Sequence, residues 1–332
     1  MLRQLDARDA AALTRLAEVA VGWTGHSRPI DAAGWLNGLS GARQHLWAAP
    51  EGDGLRSAAR LQLADRARQR HCAEIELLAA PDDHAGVMLE AIVRFADAWT
   101  AADRVDLWLP EGHAALASAV ELGFLPEVRR RARLTDGRDE IGLARLRPGF
   151  LPRTPGGPPP WPPRHRRTVG AWTLRPLTAD DAEAVRALSV EPTSVWGTLQ
   201  TPTSNLDFYV QRHRDTPPGH ALFALEADGA FAGIGGIHPT PLDDVLGVGM
   251  ALGVDWQGCG GGHALMSGLL RAARDRGARR VELAVWADNA RARALYEATG
   301  FVEEGVRRGD GIRDGGHGDS LEMALDLTAA TI

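Results

Sequence analysis

Asp255-Trp256-Gln257-Gly258-Cys259-Gly260-Gly261-Gly262-His263 is the stretch on which the reading of this chain turns. Before it, Val248-Gly249-Met250-Ala251-Leu252-Gly253-Val254 reads as a buried strand. After it, His263 to Arg276 sets Leu265, Leu269, Leu270 and Ala273 at helical spacing. Glycines at 258, 260, 261 and 262 keep side chains away from the start of that helix. Backbone N–H groups can therefore close on an anion, and the helix dipole favours negative charge at the same end. The predicted element is a phosphate cradle.

Spacing separates this cradle from other anion loops. A dinucleotide fingerprint needs glycines at G-x-G-x-x-G, but counting from Gly258 puts His263 third, and from Gly260 it puts Leu265 there. A Walker loop needs a lysine, and the chain contains none, which also removes Schiff-base chemistry. The pattern that fits is Q/R-x-x-G-x-G/A, carried by Gln257, Gly260 and Gly262. It resembles the acetyl-CoA pyrophosphate loop of the GCN5-related N-acetyltransferases (GNAT).

A second block extends the resemblance. Arg280-Val281-Glu282-Leu283-Ala284-Val285-Trp286 reads as a strand, followed by Asn289-Ala290-Arg291-Ala292-Arg293-Ala294-Leu295-Tyr296-Glu297-Ala298-Thr299-Gly300-Phe301. Asn289 suits a helix N-cap and Gly300 the residue past a helix end. N-x-x-A-x-x-x-Y-x-x-x-G-F is similar to the last block of the same family. The resemblance implies that Asn289 meets the pantetheine arm and that Tyr296, as general acid, protonates the departing thiolate. It assigns cofactor binding to the backbone at Leu252 and Val254, and to Gln257, Gly258, Cys259, Gly260, Gly261, Gly262 and His263. The co-substrate is then acetyl-CoA.

At 332 residues the chain is long enough for two domains, and 44% hydrophobic with 24% charged residues is the composition of an ordinary globular protein. A net charge of −6 argues against general binding of nucleic acid or anionic membranes. No apolar run approaches a membrane span, and Met1 to Asp6 does not read as a signal peptide. Cys72 and Cys259, far apart in sequence, suit a reduced cytoplasmic protein. Metal chemistry is not expected, because His71, Cys72 and Glu74 are too closely spaced on an alternating strand.

Between Pro148 and Pro163 the proline-rich run, including Gly156-Gly157-Pro158-Pro159-Pro160-Trp161-Pro162-Pro163, reads as an extended connector. On either side the chain repeats itself. Leu2-Arg3-Gln4-Leu5-Asp6-Ala7-Arg8-Asp9-Ala10 is echoed by Leu174-Arg175-Pro176-Leu177-Thr178-Ala179-Asp180-Asp181-Ala182, each a strand running into a capped helix. Leu122-Gly123-Phe124 echoes Thr299-Gly300-Phe301, and Asp136-Gly137 echoes Asp314-Gly315, in the same order. The expected fold class is α/β (α+β). Two GNAT-like domains stand in tandem, each a mixed, mostly antiparallel sheet flanked by helices: 1–147, a 148–168 linker and 169–332.

The copies differ chemically. Only Gly86 survives from the cradle in the first, Asp83 falls where Gln257 sits, and Ala119 and Gly112 stand at the tyrosine and asparagine positions. The first copy is therefore read as degenerate and non-catalytic. In the second, Asp228-Gly229 between two apolar runs signals a hairpin, Asn205 to His213 a helix, and Phe301–Arg308 with Leu321–Leu327 a terminal strand pair.

Ser194-Val195-Trp196-Gly197-Thr198-Leu199-Gln200-Thr201-Pro202, with Gly305-Val306-Arg307-Arg308 and Asp314 to Asp319, looks like a bacterial L-amino-acid N-acetyltransferase. Trp196, Thr198 and Gln200 are then the substrate contacts. The family commonly carries a glutamate near position 247, where this chain has Gly247. His238 and Glu282 are the remaining candidates for the base. The expected activity is acetyl transfer to a primary amine of a small molecule, an amino acid among the candidates, by a monomer or homodimer. A non-catalytic acyl-CoA-binding sensor or scaffold is the alternative.

Overall fold

The computed structural model describes residues 2–24, 33, 36, 43–65, 67–79, 83–157, 167–198, 207, 210–211 and 214–328. Gln200, the core of the proline-rich connector and most of the expected 205–213 helix lie outside them. Two compact units emerge: Met1–Arg153 with Glu304–Ile312, and Thr154–Glu303 with Arg313–Ile332. The segment Glu304–Ile312 thus belongs to the first unit, although its place in the sequence puts it with the second.

The first unit runs β1 (Arg3–Gln4), α1 (Ala10–Thr24), β2 (Gln44–Glu51), β3 (Gly54–Leu63), β4 (Cys72–Ala79), α2 (Asp83–Trp99), β5 (Arg104–Pro110), α3 (Ala115–Glu121), β6 (Leu125–Arg130) and β7 (Glu140–Leu146). Its strand order is β1-β2-β3-β4-β5-β7-β6. Only β4 and β5 pair in parallel; the other neighbours are antiparallel. Leu61, Ile75, Met88, Leu89, Ile92 and Phe124 form the centre of its core. Each such side chain stabilises by about 1.5–3 kcal/mol when fully buried.

The second unit runs β8 (Trp172–Pro176), α4 (Ala182–Val190), α5 (Pro192–Gly197), β9 (Ala221–Ala227), β10 (Ala230–Pro239), β11 (Val245–Leu252), α6 (Gly261–Arg274), β12 (Arg280–Trp286) and α7 (Ala290–Ala298). It ends with the first residues of β13 (Val302–Arg313) and with β14 (Gly316–Asp326). The order β8-β9-β10-β11-β12-β14 repeats that of the first unit, with β11–β12 as its parallel pair.

The sequence echoes have structural counterparts. Arg3 Nη1 donates to Asp9 at 2.8 Å, and Asp6 caps the turn that follows. Arg175 Nη2 donates to Asp181 at 2.7 Å, with Thr178 in the matching capping box. Asp228 and Gly229 adopt φ 50° and 84°, which gives the β9–β10 hairpin at the place expected. The terminal strands are longer than expected. Asp314 and Gly315, at φ 49° and 74°, make the tight turn between them.

Two faces of the second sheet do different work. Leu265, Met266, Leu269 and Leu270 of α6 pack on the face that carries Gly235, where a Cβ would meet Leu269 Cδ1 at 2.8 Å. Ala182 and Val185 of α4 pack with Ile234 on the opposite face.

Candidate active site

β11 and β12 are paired only from Val245↔Arg280 to Gly247↔Glu282. Beyond that vertex they separate, which leaves one backbone edge of β11, from Val248 to Leu252, without β12 as its partner. The cradle lies past the far end of this opening.

The strand stops earlier than its apolar run suggests. Gly253 N–H donates to Ala232 O, and Val254–Trp256 turns as a short 3-10 segment. Gly258 and Gly260 adopt φ 80° and 99°, conformations L side chains rarely take. Gly260 is the N-cap of α6 and leaves the helix start without a side-chain cap. Its first-turn amides have no acceptor inside the helix. At Gly261 a Cβ would meet Trp172 Cη2 at 2.9 Å, and at Gly262 Leu295 Cδ2 at 2.9 Å. A side chain at 261 would have to displace the Trp172 ring beside the Trp256 carbonyl, whereas one at 262 would only push the end of the Leu295 side chain aside.

Neighbouring side chains brace the loop. Gln257 Nε2 donates to Leu252 O at 3.0 Å, tying the loop to the strand end. Cys259 Sγ donates to Trp256 O at 3.1 Å, while His263 points from an exposed position on the first turn. Trp172 and Trp256 meet edge to face, and the Arg167 guanidinium lies 4.7 Å over the Trp256 ring.

Val254, expected to offer its backbone to a ligand, already donates its N–H to Glu191 Oε2 at 2.9 Å. Sequence reasoning missed Glu191. The signal available was an acid directly before Pro192 at a helix start, where Glu191 ends α4 and begins α5. Burial, followed by the nearby Asp255 charge, raises its carboxyl above the usual range.

Tyr296 sits on α7, and Asn289 caps that helix by accepting from Ala292 N–H at 3.2 Å. The Asn289 oxygen is thus engaged, while its Nδ2 faces Gly197 at the end of α5. The Tyr296 ring is buried, 5.9 Å from Phe301. Desolvation pushes its phenol up to about 12, so the group keeps its proton throughout the neutral range.

His238 and Glu282 share a face. His238 is in register with Gly247, and Gly247 with Glu282, so the three stand side by side across β10, β11 and β12. His238 is exposed, and its ring stacks on His220 with centroids 6.2 Å apart. Glu282 is buried, its charge matched by Arg280 Nε at 2.8 Å.

Trp196 is buried on α5 and forms part of a cavity of about 330 Å³ lined also by Gly157, Pro192, Val195, Arg313 and Asp314. Arg313 lies 4.3 Å over Trp196 and 5.0 Å from the Trp286 ring, and pairs with Asp288. Thr198 spends its hydroxyl on Ser194 O at 2.8 Å.

Among the described residues no cluster of three metal-ligating side chains occurs, and no helix is long and apolar enough to cross a membrane.

Residues 183–301 match the model of the Acetyltransferase (GNAT) family. The chain is 35% identical over 106 residues to ribosomal protein bS18-alanine N-acetyltransferase of Escherichia coli (strain K12), covering 32% of this chain and 71% of that protein. It is 30% identical over 156 residues to L-amino acid N-acetyltransferase AaaT of the same organism, covering 46% of this chain and 95% of that protein. A solved structure of a putative acetyltransferase from Salmonella typhimurium with its cofactor acetyl-CoA aligns with 49% of this chain and 98% of its own, at 20% identity and a TM-score of 0.43. On the family match and the two sequence relatives, the chain belongs to the acetyltransferase (GNAT) family and is an acyltransferase.

Proposed function

We propose that this protein transfers the acetyl group of acetyl-CoA to the primary amine of a small molecule, and that the second unit does the chemistry while the first is non-catalytic. The observation that carries the proposal is the opening between β11 and β12, with a glycine cradle beyond one end and a protonated phenol on the helix that follows. Helix-start amides at Gly261, Gly262 and His263 suit a diphosphate. The exposed β11 edge suits the amide groups of an extended pantetheine arm, in the manner of an added strand. From Leu252 back to the vertex at Gly247 the strand runs about 17 Å, at about 3.3 Å per residue. A thioester laid along it would be carried toward the row that holds His238.

Tyr296 is assigned as general acid. Its proton goes to sulfur as the tetrahedral intermediate collapses, which prevents expulsion of a bare thiolate. A primary amine is largely protonated at neutral pH, so a base is needed before attack, and His238 takes that role. Aligning the two reactants supplies roughly 7–11 kcal/mol at best. The cavity beside Trp196, at about 330 Å³, is at the small end for ligand sites, which supports a compact acceptor such as an amino acid.

Thiol release from acetyl-CoA, followed against amino acids, polyamines and an alanine-terminated peptide, tests the reading. Turnover with a small amine and a fall of about a hundredfold or more in Tyr296→Phe, with acetyl-CoA affinity retained, are expected. Tight acetyl-CoA binding with no turnover on any amine would leave the sensor reading instead.

A further inference from the structure

Gly247 lacks a side chain for a reason visible in the sheet. A Cβ built there would lie 2.0 Å from His238 Nε2, 2.4 Å from Cε1 and 2.6 Å from Cδ2. The imidazole thus fills the volume that a residue-247 side chain would need. The ring thus lies over β11, the strand between that of His238 and that of Glu282.

The first unit offers an internal comparison. There the corresponding row is Gln62 on β3, Glu74 on β4 and Asp106 on β5. Asp106 binds Arg104 two residues before it, as Glu282 binds Arg280. The arginine–carboxylate pair is therefore part of the framework of both units. What distinguishes the second is the exchange of its neighbours: the carboxylate on the middle strand is replaced by glycine, and the amide on the strand beside it by histidine.

We infer that the proton acceptor of this site is mounted on β10 instead of β11, the His238 imidazole occupying the space of a residue-247 side chain, with Glu282 as the positioning residue behind it. The inference rests on the acetyl-transfer reading above. The amine proton passes to His238 as the nitrogen attacks the thioester carbon, and Glu282 favours the imidazolium that forms. Other charged or titratable groups near this row are His220, stacked on the ring, Arg280 on β12, and Glu322 and Asp326 on β14.

The test measures kcat/KM against pH, and acetyl-CoA affinity, for His238→Ala, Gly247→Ala and Glu282→Gln. His238→Ala should lose turnover about a hundredfold or more, recover part of it with added imidazole, and bind acetyl-CoA as the parent does. Gly247→Ala should lose turnover comparably without rescue, because its methyl takes the volume the imidazole needs. Glu282→Gln should move the acid limb of the profile to lower pH, since removing the carboxylate disfavours the imidazolium. If Arg280 left unpaired prevents folding, the Arg280→Gln/Glu282→Gln double variant is compared with Arg280→Gln alone, so that the loss of the arginine charge cancels and the Glu282 effect is read.

Parental turnover in His238→Ala overturns the inference, and an unmoved acid limb overturns the part given to Glu282. A parent protein that acetylates no amine would instead defeat the function it rests on.

Discussion

Replacing Gly260 by alanine should damage stability and coenzyme binding together, whereas the same change at Gly277 should damage only stability. Both residues hold positive φ, 99° at the start of α6 and 78° just past its end. An L side chain in that region costs about 1–2 kcal/mol. Neither site adds a severe clash: a Cβ at 260 comes no closer than 3.7 Å to Trp172 Nε1, and one at 277 meets nothing within 4 Å. The strain is therefore matched, and position along the helix is the variable. At 277 the chain must only close the helix end, where Gly277 N–H donates to Arg274 O at 2.8 Å. At 260 relaxation of the strain would rotate the first-turn amides away from a bound diphosphate.

Urea unfolding should show a similar loss, about 1–2 kcal/mol, in both variants. Calorimetric titration with CoA should show a loss of about tenfold for Gly260→Ala alone, equivalent to about 1.4 kcal/mol. Parental CoA affinity in Gly260→Ala, or equal weakening in Gly277→Ala, would refute the cradle.

Two further outcomes follow from buried charge. Residues 1–153 expressed alone should be less stable than the same residues in the full chain, because Asp106 and Glu127 keep Arg104 but lose Arg307 and Arg308 of the 304–312 segment. A charged hydrogen bond lost while Arg104 remains costs about 1.5–3 kcal/mol; a fragment as stable to urea as the first unit of the full chain would contradict this. The second concerns Asp181, whose carboxyl the Arg175 hydrogen bond holds down to about 2, against 3.8 ordinarily. Its stabilisation is present above the unfolded value and is lost as pH falls from about 4 toward 2. Asp181→Asn should flatten the fall in melting temperature over that window, and an unaltered slope would count against the pair.

Much of the site was legible locally. Glycine spacing, the Asn289 cap, the Asp228-Gly229 turn and the paired Arg–Asp openings each act within a few residues, where backbone geometry and capping dominate. These features marked the glycine turn before α6, the tyrosine helix and the internal repeat. Glu191 was not legible, because its partner, the Val254 amide, lies 63 residues away in sequence. The early end of β11 escaped for a related reason: the apolar run continues to Val254, but the Val254 amide is taken by the Glu191 side chain instead of the backbone of β10, which partners the strand up to Gly253.

By itself the sequence determined where the tight glycine turns and the helix ends fall, since φ preference and orphan amides belong to the local chain. Only the tertiary structure decided that Glu304–Ile312 joins the first unit, that the strands part after Gly247, and that His238 stands over a glycine beside Glu282. The physical reason is register: side chains on adjacent strands become neighbours through cross-strand hydrogen bonding, and that pairing depends on residues far apart in the chain.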